Sequence, residues 1–148
     1  MTGITRLSSG LPVQIGQGSG DYSLTGSSNT DEPDVVSPVV IQNARNSGPT
    51  GPNTYFLPTS FTSGPLGTFG DSNRSFFSGP GIVNTDFALM KRIPITESIS
   101  FMIRGEFFNI FNHTQFNNPV GNFSSSQFGE VTSARAPRIG QISAKFLW

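Results

Sequence analysis

The sequence predicts an all-β fold: antiparallel strands of a partial transmembrane β-barrel, joined by long extracellular loops. Three observations lead there. Apolar and polar residues alternate with a period of two in several segments, most clearly toward the C-terminal end. Turn-forming residues dominate the stretches between those segments, with Gly 17 and Pro 11. Aromatic content is high while charge is low: 14 Phe stand in a chain only 12% charged. A disordered linker is normally poor in aromatics, so these rings require burial.

The first segment, TGITRLS at 2–8, alternates weakly and is rich in β-formers, like the end of a strand already under way. A Ser9-Gly10 turn and a short extended piece from Leu11 to Ile15 follow, so 1–16 is expected to be a strand end plus one extended stretch. The region 17–82 reads as a long loop. GQGSGD, TGSSNTDEPD, NSGPTGPN and SGPLGTFGDSN are turn-type clusters, interrupted by two islands, VVSPVVI at 35–41 and TYFLPTSF at 54–61.

Beyond Gly81 the pattern changes. Residues 83–93, VNTDFALMKRI, predict one membrane strand, and Pro94-Ile95-Thr96-Glu97 a short turn. Residues 98–112, SISFMIRGEFFNIFN, predict a second strand. One face takes Ile99, Phe101, Ile103, Gly105 and Phe107, and the other Ser100, Met102, Arg104 and Glu106. Wrapped as a helix, the same segment would put Phe101, Arg104, Phe108 and Phe111 in one stripe, broken by Arg104, so the strand is preferred. Residues 113–137 form another loop. Residues 138–148, RIGQISAKFLW, predict a third membrane strand, with Ile142, Ala144, Phe146 and Trp148 opposite Gln141, Ser143 and Lys145.

Connection lengths alternate long, short, long. In outer-membrane barrels short turns face the periplasm and long loops face outside, which puts the final residue at the periplasmic end. The expected lipid-facing residues are Ile99, Phe101, Ile103, Phe107, Ile142 and Phe146. The expected lumen-facing residues are Arg104, Glu106 and Lys145. Phe107, Phe108 and Phe111 suit an aromatic girdle at the membrane interface better than a base-stacking platform, because no basic residues are interleaved with them.

Composition narrows the function classes. Nine basic residues balance nine acidic ones, so no nucleic-acid partner is expected. With no Cys and one His, thiolate and clustered imidazole metal sites are excluded, and no cofactor is expected. His113 lies beside Phe111 and Phe116 with no HxxE or HExxH spacing, which predicts a structural role at a loop base. Asp31, Glu32 and Asp34 cluster without the EF-hand pattern, so a solvated turn is expected rather than a calcium loop. Ser124, Ser125 and Ser126 carry no G-x-S-x-G context, and GQGSGD is followed by no Lys-Ser/Thr. No enzyme is expected. No apolar run reaches the roughly 18–20 residues of a helical span, and no basic stretch leads into an apolar one at the N-terminus.

Three segments carry a family resemblance: SGPGIVNTDFALMKRIPITE (78–97), FMIRGEFFNIFNHTQFNNP (101–119) and FGEVTSARAPRIGQISAKFLW (128–148). Upstream, SSGLPVQI, TDEPDVV, YFLPTSF and GTFGDSNRSFFSGPG fall in matching order. The chain resembles the C-terminal end of TonB-dependent receptors of the Oar-like, carboxypeptidase-regulatory-like domain type, abundant in Acidobacteria. The resemblance implies an outer-membrane barrel of about 22 strands with a plug in its lumen. It also implies energised uptake or surface binding of a bulky substrate by the full-length protein. The expected partners are outer-membrane lipid, the remainder of the barrel and plug, and the barrel-assembly machinery, which reads a terminal aromatic such as Trp148. On this view 1–148 is a C-terminal fragment without the TonB box and plug that carry transport. The alternative is a secreted or surface β-domain that binds glycan or protein through its Phe- and Asn-rich loops.

Overall fold

The computed structural model describes residues 1–27, 31–45, 53–73 and 75–148. The strands in chain order are β1 (Thr2–Ser8), β2 (Pro12–Gln14), β3 (Asp34–Val35), β4 (Phe61–Thr62), β5 (Ser75–Ser78), β6 (Ile82–Pro94), β7 (Ser100–Phe108) and β8 (Ile139–Leu147). One 3₁₀ turn, Pro58–Ser60, precedes β4. The fold class is all-β and antiparallel, as the alternation predicts. The chain divides into two compact units.

The first unit holds Met1–Ser8, Gly81–Gln115 and Arg135–Trp148. It is a four-stranded sheet in the order β1-β6-β7-β8, antiparallel throughout. Register places Ser8 opposite Ile82, Pro94 opposite Ser100, and Phe108 opposite Ile139. Both long connections therefore leave from one end of the sheet, and the tight β6–β7 turn closes the other. That turn is held by the N–H groups of Ile95 and Thr96 donating to the Ile99 carbonyl, and by the Ile99 N–H donating to the Thr96 hydroxyl.

Strand ends differ from the sequence reading where side chains intervene. The second membrane strand was expected over 98–112. It runs from Ser100 to Phe108, because Ser98 and Ile99 belong to the turn and Asn109 takes a left-handed φ of 52°. Asn tolerates that conformation better than most residues. Asn109 then turns the chain through its own side chain, whose Oδ1 accepts the His113 N–H and whose Nδ2 donates to the His113 carbonyl.

Beyond the reach of β7, β6 is partnered by this turn. The Ile110 N–H donates to the Thr85 carbonyl at 2.9 Å. The buried Gln115 side chain accepts the Val83 N–H and donates to the Val83 carbonyl, so one amide side chain does the work of a strand residue.

The second unit comprises Ser9–Pro80 and Phe116–Ala134. Most of it was expected to be loop. Its regular structure is sparse: β2 pairs with β5 across a bulge at Val13/Gln14, and β3 pairs with β4. It is nonetheless folded around a core of Val13, Ile15, Ala44, Tyr55, Phe56, Phe61, Phe128 and Val131. Phe56 is fully enclosed and meets Phe61, Phe77 and Phe128 edge-on, with centroids 5.7, 5.0 and 5.1 Å away. Each buried Phe contributes about 1.5–3 kcal/mol of transfer free energy to that core. The NSGPTGPN cluster, apart from Asn53, lies outside the described residues.

The two long connections interlock within this unit. The Gly16 N–H donates to the Gly121 carbonyl, and the Phe123 N–H to the Gly16 carbonyl. The Gly129 carbonyl accepts from Tyr55, and the Val131 N–H donates to the Asn53 carbonyl. Gly129 sits at φ +85°, and a Cβ there would lie 2.5 Å from the Phe56 carbonyl oxygen. Only glycine permits that approach.

Candidate functional site

The distinctive feature of the sheet is that its two faces differ in chemistry. Residues directly opposite on paired strands share a face. Phe87, Phe107 and Gly140 lie in one row, Leu89, Gly105 and Ile142 in the next, and Ile93, Phe101 and Phe146 in another. With Leu7 and Val83 beyond the intervening Thr5–Thr85 row, this builds a mainly apolar face. It stands open: Ile142 is 79% exposed and Phe146 56%. Phe101 and Phe146 pack together at a centroid distance of 5.1 Å.

Register gathers five of the six predicted apolar residues, Phe101, Ile103, Phe107, Ile142 and Phe146, on this face. Ile99 is not on a strand. It lies in the β6–β7 turn, and its carbonyl is used to close that turn.

Lys91 was not anticipated. It lies on the apolar face, opposite Ile103, in the row that continues to Ala144. Its position is three residues from Pro94, near the tight-turn end. Placing it needs the β6–β7 register, which the sequence does not print.

Arg104, Glu106 and Lys145 share the opposite face. Arg104 forms an ion pair with Glu106, and Gln141 donates to the other carboxylate oxygen. Arg92 donates to the Ser100 hydroxyl at 2.9 Å. Toward the long-connection end, Asp86 accepts from Asn84 and from the Asn109 N–H, both at 2.9 Å. The polar face thus carries one ion pair and several engaged amides and carboxylates, which suits a wet surface.

Trp148 follows β8 and is 92% exposed. Leu147 pairs with Ser100, so the terminus lies at the tight-turn end of the sheet. The His113 ring Nδ1 lies 3.0 Å from the Gln115 amide, tying it to the β6 contact described above.

In the second unit, the acidic cluster is divided among separate tasks. Asp31 is buried and accepts from the Ser23 hydroxyl and from the Ser23 and Tyr22 N–H groups. Led by the Ser23 hydroxyl, these donors hold its carboxyl below the ordinary value of 3.8. Asp34 accepts the Asp71 N–H, and Asp71 in turn accepts the Val35 N–H. Burial raises the Tyr55 phenol, whose hydroxyl donates to the Ser78 carbonyl.

Among protein families, the chain matches one described as outer membrane beta barrel domain, over residues 1–141. No curated protein and no solved structure matches the chain.

Proposed function

The chain belongs to the outer membrane β-barrel domain family, and its place is the cell outer membrane; from that premise we propose that it forms wall and surface of a TonB-dependent receptor barrel. The apolar face meets lipid, and the polar face with Arg104, Glu106 and Lys145 lines the lumen. The full-length protein takes up or binds a bulky substrate, and this part does no bond chemistry. The observation carrying the reading is the open apolar face, whose rows run across β6, β7 and β8. In water such a face would require a covering layer, whereas in a bilayer lipid covers it. The segment resemblances over 78–97, 101–119 and 128–148 favour the receptor type.

The test has two arms. A cysteine placed at Ser27, an exposed position in the first long connection, should be labelled by a membrane-impermeant maleimide on intact cells. Labelling only after lysis would overturn the proposed orientation. Substrate accumulation by cells carrying the full-length gene should also collapse with a protonophore, and uptake indifferent to it would overturn energised transport.

A further inference from the structure

We propose that a cavity on the polar face of the sheet, at the long-connection end, binds a small carboxylate that carries an apolar body. The cavity has a volume of about 230 Å³ and is built entirely by the first unit. That is below the range of drug-sized sites, so the fitting solute is small. Its apolar lining comes from Ile82, Phe108 and Ile139. Its charge comes from Arg6 on β1, Asp86 on β6 and Arg135 just before β8.

The internal hydrogen bonds show which lining groups remain available. Asp86 accepts from Asn84 and from the Asn109 N–H, both through Oδ1. Gln115 is engaged by the Val83 backbone. Among the described residues, neither the Arg6 nor the Arg135 side chain makes a hydrogen bond or an ion pair. Two arginines against one carboxylate leave a single positive charge to be balanced. A guanidinium matches a carboxylate with two parallel N–H···O bonds. One anionic end beside an apolar lining selects an amphiphilic monoanion over a bare inorganic ion.

The inference rests on the polar face being wet, as in the barrel reading, but its test is separate. The full chain, assembled in the outer membrane and solubilised in detergent, is titrated with benzoate and with neutral benzamide by calorimetry. Heat-modifiable mobility of the same preparation reports membrane integration, so failure of the barrel reading registers there and failure of the cavity registers in the titration. Benzoate should bind, and benzamide should bind about tenfold more weakly or worse, in line with the loss of a charge-assisted pair. Arg6→Gln and Arg135→Gln should each weaken benzoate by a similar factor, and Lys145→Gln should leave it unchanged. Absence of benzoate binding, equal affinity for benzamide, or indifference to both arginine variants would overturn the proposal.

Discussion

The rings of Phe56 and Phe128 meet edge to face with centroids 5.1 Å apart, although Phe56 belongs to the first long connection and Phe128 to the second. Their contact makes one folded body of two segments that the sheet strands separate in sequence. Phe56→Ala should cost about 3–5 kcal/mol in the stability of this unit, the usual range for a fully enclosed Phe. A double-mutant cycle with Phe128→Ala should return a coupling of about 0.5–1.5 kcal/mol. Denaturation followed by hydrogen exchange at Tyr55 and Gly129 measures both. Strict additivity would show that the rings do not act together.

Asp31 makes the same unit sensitive to acid. Its folded value lies below the ordinary 3.8. The carboxylate therefore contributes stability that is complete above the unfolded value and lost as pH falls through the folded one. Protection of the Tyr22 and Ser23 amides should hold at neutral pH and decline below about pH 3.8. Asp31→Asn should lower that protection at neutral pH and remove the acid step. An amide-exchange series from pH 7 to 2 tests this, and an unchanged acid step in the variant would refute it.

Lys91 provides a depth gauge for the apolar face. It lies three positions along the strand from Pro94, about 10 Å at 3.3 Å per residue. Its stem is long enough to carry the ammonium toward the tight-turn interface. Lys91→Met should insert normally. Leu89→Lys, two residues deeper on the same face, should insert poorly, because lysine costs about 2–4 kcal/mol at the bilayer midplane and little near the interface. Equal insertion of the two variants, read by heat-modifiable mobility, would show that this face is not in lipid.

Trp148 tests the terminus. An indole suits a membrane–water boundary, with an apolar ring and a hydrogen-bonding N–H. Deleting Trp148 should reduce membrane-integrated protein several-fold, while Lys145→Gln on the polar face should be mild. Normal insertion of the deletion variant would remove the support for an assembly signal.

The sheet was legible in the sequence because a period of two is a local property. Phe101, Ile103 and Phe107 declare their shared face without reference to any other strand. The end of β7 was less legible, since Phe108, Ile110 and Phe111 continue to look like strand while Asn109 turns the backbone. Lys91 and Asp86 acquire meaning only through cross-strand register. The second unit was hidden for a different reason. Its core rings stand in short segments with no common period, between turn clusters that resemble solvated loop, and their partners are remote in the chain. The clue available was the number of Phe, which demanded a place of burial without saying where.

The interlock at Gly129 and Gly121 bears on how such a surface can vary. Surface loops ordinarily tolerate replacement one at a time. Here a Cβ at Gly121 would lie 1.8 Å from the Gln14 carbonyl oxygen, and one at Gly129 would strike the Phe56 carbonyl. The two segments are thus shaped to each other's backbone, and a length change or graft in either must be matched in the other. The segments 9–80 and 116–134 therefore form a single structural module although they are discontinuous in the sequence.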